Sequence, residues 1–269
     1  MAVNKQMTVD QVVKQIKNGD TIVIGGWGLV RKPMGIVRAI AQSNLKDLTI
    51  IALAGMDLDM LVAAGKVKKA ITGFVAFEGG EGRAVAYDNA RKNGKIEYME
   101  LSEYMLIAGL KAASERIPFY PTRSGLGTDI LAANPEIKTF KAPYTGEKLV
   151  AMPALRADVA LIHANKASQE GYATIDGDRL WDHIMIRAAD KVFVSAEEIV
   201  PRYELQKEMD KIKVLTPWVT GVVEMPNGAR PGTLFPNYLD AGNRTIKAYM
   251  DAALDPKTFK KYLAEQTSK

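Results

Sequence analysis

The chain has 269 residues, with 47% hydrophobic and 25% charged side chains, and 36 basic against 31 acidic groups give a net charge of +5. That is ordinary globular composition, long enough to bury a sizeable core without staples, and it excludes disordered, collagen-like and low-complexity classes. There is no cysteine, so disulfides, thiol nucleophiles and thiolate metal sites are excluded together. The two histidines, His163 and His183, lack metal-ligand spacing, and no G-x-S-x-G elbow accompanies them. What is left for catalysis is carboxylate, Arg, Lys, Ser and Tyr chemistry.

Basic residues are spread along the chain and not clustered, so a solvated mixed surface is expected, with no nucleic-acid partner. No long apolar run is present, and no membrane association is expected. Without a signal-like start, the expected location is the cytoplasm.

Thr8-Val9-Asp10-Gln11 has capping-box spacing and opens a helix carrying Val12, Val13 and Ile16, closed at Gly19. Thr21–Ile24 reads as a buried strand, followed by the glycine turn Gly25-Gly26-Trp27-Gly28. Pro33 suits the start of the next helix, with Ile36, Val37 and Ile40 on its apolar face. The alternation predicts a strand over 48–53, a helix over 57–64, a strand over 70–75 and a helix over 82–93. A strand over 96–101 and a helix over 102–116 follow, broken by Pro118 and Pro121.

Residues 120–147 hold prolines and glycines with little periodicity and read as one long loop. Strands are then expected at 159–162, 192–194 and 219–223, with a helix over about 179–190 and helix through the last thirty residues. Strand, turn and helix repeated in this way predict an α/β fold, an open, mainly parallel sheet flanked by helices, in one domain over 1–269. Ligands on such sheets bind at the carboxyl ends of strands, so the segments 25–33, 54–57, 76–83, 101–104, 120–128 and 163–178 are the ones to read for chemistry.

The glycines at 25, 26 and 28 either admit a ligand to backbone N–H groups or close a tight turn around a packed Trp27. Arg31 and Lys32 stand at a helix start, where two cations oppose the macrodipole; they answer to an anionic ligand or form an exposed basic turn. Glu78-Gly79-Gly80-Glu81-Gly82 is an acidic, flexible loop. Glu103 lies where a strand gives way to a helix. It is either a favourable first-turn carboxylate or a base at the ligand-binding edge. Arg123, in Thr122-Arg123-Ser124-Gly125-Leu126-Gly127, offers a fork for an anion or pairs with a surface carboxylate. His163 and Asn165 close a buried strand, as structural or ligand-orienting groups.

Together these segments resemble the α (A) subunit of class I CoA-transferases of the glutaconate type, nearly end to end. The resemblance is carried by Gly25–Gly28 with Arg31-Lys32-Pro33, Asp47-Leu48-Thr49, Gly65-Lys66-Val67-Lys68, Ile117-Pro118-Phe119, 158–164, Glu197-Glu198-Ile199-Val200 and Asn227-Gly228-Ala229. It implies a CoA-transferase and sugar-isomerase-like fold and an active site shared with a homologous β subunit in an αβ or α2β2 assembly. The enzyme would be active only with that partner. Coenzyme A would enter as part of an acyl-CoA substrate, with no separate cofactor and no metal.

Within the family, Gly26-Trp27-Gly28, Arg31-Lys32-Pro33-Met34, Glu103 and Arg123–Gly127 resemble the α subunit of the cholesterol ring-cleaving hydrolases. That implies hydrolytic C–C opening of a cyclic ketone on an acyl-CoA, with Glu103 and Arg123 catalytic. Gly26, Trp27, Gly28, Arg31, Lys32, Ser124 and Gly125 would bind substrate. The loops 76–83 and 128–147 match neither subgroup, and substrate choice is expected there. CoA transfer to a carboxylic acid, and non-catalytic binding of acyl-CoA, are the rival functions.

Overall fold

The computed structural model describes residues 3–53, 55–77 and 82–266. The first helix, α1 (Val9–Lys14), starts on the expected capping box: Thr8 Oγ1 accepts the Gln11 N–H, and Gln11 Oε1 accepts the Thr8 N–H. Strand and helix then alternate as β1 (Thr21–Ile24), α2 (Met34–Gln42), β2 (Leu48–Ala52), α3 (Met56–Ala63), β3 (Val67–Thr72), α4 (Val85–Lys92), β4 (Glu97–Glu100) and α5 (Glu103–Ser114). Next come β5 (Phe119–Thr122), α6 (Ile130–Ala133), β6 (Lys138–Lys141) and β7 (Lys148–Pro153). The chain continues through β8 (Ala157–Ala167), β9 (Ala173–Thr174), α7 (Asp182–Ala188), β10 (Ala189–Ile199), α8 (Arg202–Gln206), β11 (Ile212–Val214) and β12 (Gly221–Glu224). It closes with α9 (Asn243–Ala253) and α10 (Pro256–Gln266).

Seven strands form a parallel sheet in the order β12-β10-β8-β1-β2-β3-β4. The short β9 runs antiparallel to the far end of β8, and β11 pairs antiparallel with β9. From β1 the chain builds outward through β2, β3 and β4, then returns to β1's other side with β8. The sheet's order therefore reverses at β1, and the crevice beyond its carboxyl end is the expected ligand position.

Period-two alternation along β1 divides the core. Ile22 and Ile24 face a cluster with α2, α3, α9 and α10, whereas Val23 faces a cluster with α5 and α7. With both faces covered, the strands need no polar side, which is why they read as continuous apolar runs.

One expectation fails. Residues 120–147 are not a single loop, because β5, β6 and β7 make a three-stranded antiparallel sheet in the order β5-β7-β6. Pro121 is tolerated because β5 is an edge strand paired only with β7. Lys138-Thr139-Phe140-Lys141 has too few apolar positions to signal a strand. The third strand is shifted as well: it spans Val67–Thr72 instead of 70–75, leaving Gly73 and Phe74 beyond its carboxyl end. The terminal helix is two helices, α9 and α10. Among the described residues, no helix is long and apolar enough to cross a membrane.

Candidate functional site at the carboxyl edge of the sheet

Glu103 is the first residue of α5, directly beyond β4. Ser102 caps that helix, its Oγ accepting the Met105 N–H at 3.2 Å. The cap is what stops Glu103 from having to serve as one. Its carboxylate instead meets the glycine turn after β1: the Trp27 indole N–H donates to Glu103 Oε1 at 3.2 Å. Glu103 Oε2 has no hydrogen-bond or ion-pair partner among the described residues.

Two residues that the sequence did not single out complete this corner. Gly73, after β3, packs under Glu103 so closely that a Cβ there would lie 2.8 Å from Glu103 Cα. Phe74 presents its ring edge-on to Trp27, with centroids 5.8 Å apart. The run Ile71-Thr72-Gly73-Phe74 carries a weak signal, a glycine at a strand end, but nothing local says which backbone approaches it.

The loop after β5 reaches the same corner through serines, Ser124 Oγ and Ser102 Oγ being 2.7 Å apart. Gly125 adopts φ +92°, and a Cβ on it would press on the Met105 sulfur at 2.6 Å. Arg123 points elsewhere. It is exposed and paired bidentately with Glu147, Nε to Oε1 at 2.5 Å and a terminal nitrogen to Oε2 at 2.8 Å. The hydrogen bond and charge of Glu147 raise the guanidinium's pKa. In this state Arg123 pairs with a surface carboxylate and makes no contact with Glu103.

The glycine turn does not offer free amides. The N–H groups of Gly25, Gly26, Trp27 and Gly28 donate to Leu161 O (2.8 Å), Asp182 Oδ1 (2.9 Å), Val30 O (3.1 Å) and Leu53 O (3.3 Å). The glycines are required for close packing instead. Gly26 has φ +73°, and a Cβ on it would lie 2.4 Å from Val30 O. The alternative of a backbone cradle for a ligand gives way to a tight turn that presents Trp27.

Arg31 and Lys32 are neither an anion site open to solvent nor an exposed basic turn. Their side chains are 2% and 1% accessible. Arg31 pairs with Asp182 and also donates to His163 O and Asp178 O, each at 3.3 Å. Lys32 pairs with Asp57 at 3.0 Å, and the other Asp57 oxygen has no hydrogen-bond partner among the described residues. Each cation is neutralised by a carboxylate remote in sequence, which local reading could not find.

A second polar constellation stands at the ends of β8 and β10. His163 Nδ1 is 2.9 Å from Ser195 Oγ, and its Nε2 is 2.9 Å from Glu197 Oε1. That is the composition of a nucleophilic triad, but Ser195 is fully buried and unreachable by a substrate. Glu197 Oε1 also accepts from Tyr238 OH (2.7 Å) and the Gly228 N–H (3.1 Å), and Oε2 accepts the Asn227 N–H (2.7 Å). Burial alone would push the Glu197 carboxyl up, but its donors outweigh this and hold it below the usual range. Burial lowers the His163 pKa despite Glu197. The network fixes the segment after β12, whose Thr233 exchanges backbone hydrogen bonds with Leu29 and Arg31. Asn165 likewise serves structure, donating to Phe235 O and Asn237 Oδ1. The acidic loop at 78–81 lies outside the described residues.

A seven-stranded parallel sheet with its order reversal at β1, and a carboxylate held open just beyond, define an α/β protein whose strand ends form a candidate ligand edge. Residues 5–222 match the family model described as Coenzyme A transferase, and the chain belongs to that family. It is similar to the cholesterol ring-cleaving hydrolase IpdA subunit of Rhodococcus jostii, at 38% identity over 98% of this chain and 92% of the relative. It is also similar to the A subunit of glutaconate CoA-transferase from Acidaminococcus fermentans, at 32% identity over 91% of this chain and 82% of the relative. The crystal structure of glutaconate coenzyme A-transferase from that organism superposes with a TM-score of 0.89 at 28% identity, over 97% of this chain and 88% of that one. The crystal structure of a variant of the decarboxylase AibA/AibB shares the fold, with TM-score 0.89 at 24% identity over the whole of both chains.

Proposed function

We propose that this chain is the A-type subunit of a heteromeric enzyme acting on an acyl-CoA thioester, and that the reaction is hydrolytic opening of a ring ketone on the acyl group. A homologous B-type subunit completes the site. The subunit naming of its relatives and the IpdA likeness over nearly the whole chain support this reading. The observation that carries it is Glu103, a carboxylate at the sheet's ligand edge with one oxygen held and the other open.

In this reading Glu103 Oε2 takes a proton from water as the oxygen attacks the ring carbonyl carbon. The C–C bond of the resulting tetrahedral adduct breaks, its electron pair going to the neighbouring carbonyl as an enolate. Protonated Glu103 gives its proton to the enolate's α-carbon, the atom freed by the cleavage, and the new carboxylic acid loses its proton to solvent. The products are a carboxylate and a ring-opened ketone, with the thioester intact. Arg123 exchanges Glu147 for the substrate's developing negative charge, where a fork of donors is worth most. Trp27 and Phe74 form an apolar wall beside the carboxylate. Ser124 and Gly125 line the approach.

Transfer of CoA to a carboxylic acid is the rival, favoured by the likeness to the A subunit of glutaconate CoA-transferase. It requires a nucleophilic glutamate from the partner and a covalent glutamyl-CoA intermediate. The two separate when the reconstituted complex is given a cyclic β-diketone CoA thioester in ¹⁸O-water, and separately an acyl-CoA with acetate. Label in a new carboxylate with the thioester retained supports hydrolysis. CoA moved to acetate, with no ring opening, overturns it.

A further inference from the structure

We propose that Trp27 is a positioning residue for Glu103, and that the buried Arg31–Asp182 pair is the clamp that sets Trp27. The inference rests on the reading of Glu103 as the base, and it gives Trp27, besides its place in the apolar wall, a role that acts through the carboxylate. It also gives Asp182, on no motif of the sequence, a role in the site.

Glu103 and Trp27 are 76 residues apart, on the first turn of α5 and on the turn after β1. The helix does not need their hydrogen bond, because Ser102 already caps it. A free glutamate side chain is loose, and its three torsions must be frozen before it can take a proton from a fixed water. The indole N–H, a donor with no acceptor capacity, fixes Oε1 and leaves Oε2 as the oxygen available for proton transfer.

The indole and the turn that carries it are held at three points. Phe74 packs edge-on against it. Trp27 and Val30 exchange backbone hydrogen bonds at 3.1 and 2.8 Å, closing the turn. Asp182, the first residue of α7, uses both oxygens, Oδ1 for the Gly26 N–H at 2.9 Å and Oδ2 for Arg31. Arg31 itself sits at φ +55°, a left-handed conformation that a non-glycine residue adopts at a cost. A Cβ at Gly25 would lie 3.1 Å from Asp182 Oδ1, so the turn and the carboxylate are fitted to each other. A buried pair of this kind is weak as a source of stability and well suited to fixing one geometry.

Trp27→Phe keeps the ring against Phe74 and removes the donor. In the reconstituted complex kcat is expected to fall about tenfold, the loss of one hydrogen bond to a charged group, with KM within about twofold. Wild-type kcat in this variant, or a change confined to KM, overturns the proposal. A second measurement does not depend on that variant folding. The Trp27 indole N–H resonance of the ¹⁵N-labelled chain, assigned with Trp181→Phe and Trp218→Phe, is expected to shift in Glu103→Ala, and an unmoved resonance overturns the contact. Asp182→Asn is expected to move the same resonance, and if it does not, the clamp is wrong. Glu103→Gln keeps the two ideas apart: full activity there refutes the base, whereas an inactive Glu103→Gln beside a fully active Trp27→Phe refutes only the positioning role.

Discussion

Two places on the same sheet edge hold a carboxylate against a ring nitrogen, and they differ in what is left over. At β8 and β10, Glu197 meets His163, Tyr238 and two backbone amides, and the adjoining Ser195 is fully buried. At β1 and β4, Glu103 meets one indole N–H and keeps an oxygen without a partner among the described residues. The first has the composition of a hydrolytic triad and the connectivity of a structural brace; the second has a modest composition and a free acceptor. Residue type alone would rank the first as the site. Counting satisfied lone pairs reverses the order and is what the proposed reading of Glu103 rests on.

The largest expected effect sharpens that contrast directly. Glu103→Gln should lower turnover of the complex by about 100- to 10,000-fold, the usual range for a general base, while leaving the thermal midpoint nearly unchanged. Gly73→Ala comes next. Its φ suits alanine, but the added Cβ would lie 2.8 Å from Glu103 Cα, so turnover should fall about tenfold or more from a small displacement of the carboxylate. Glu197→Gln should do the reverse of Glu103→Gln, costing about 2 kcal/mol of stability by denaturant titration because charge-assisted hydrogen bonds are weakened inside the protein. Loss of activity without loss of stability in Glu197→Gln would dissolve the distinction between brace and site.

A buried carboxylate away from the edge gives a smaller, pH-dependent effect. Asp59 accepts hydrogen bonds from Tyr249 OH at 2.6 Å and the Tyr87 N–H at 2.7 Å, yet burial pushes its pKa up to about 6. A folded pKa above the unfolded one means stability that is full at low pH and lost as pH rises through about 6. Asp59→Asn should therefore stabilise the chain by about 3 kcal/mol at pH 8 and by little near pH 4, read from urea midpoints at the two pH values. The smallest effect on stability is expected at Arg123, whose pair with Glu147 is exposed, so that Arg123→Ala should leave the thermal midpoint nearly unchanged. The same variant should nonetheless lower turnover, because the proposed mechanism uses the guanidinium on the developing charge, and wild-type turnover would remove Arg123 from the site.

The alternating frame was legible because each element carries its own signals: the capping box at Thr8, the β-branched run at Thr21–Ile24, the break at Asn93-Gly94. Glu103 was legible as a position, since a strand-to-helix junction in a parallel sheet lies at the ligand edge. Its partners were not. Trp27, Gly73 and Asp182 reach the corner from three separate elements, and nothing within a few residues of any of them encodes the meeting. Arg31 and Lys32 show the same limit from the other side. Their place at a helix start signalled unpaired charge, but Asp182 and Asp57 neutralise them from 151 and 25 residues away. The small antiparallel sheet escaped because its edge strands carry Pro121 and the charged ends of Lys138–Lys141.

The most direct test is a single turnover, with the reconstituted complex in excess over a cyclic β-diketone CoA thioester, comparing wild type with Glu103→Gln. Binding then drops out and only the chemical step is read. The expected result is normal substrate binding with ring opening slowed at least about 100-fold. Ring opening at the wild-type rate in Glu103→Gln would contradict the account, because no catalytic role would be left for the free oxygen at the edge of the sheet.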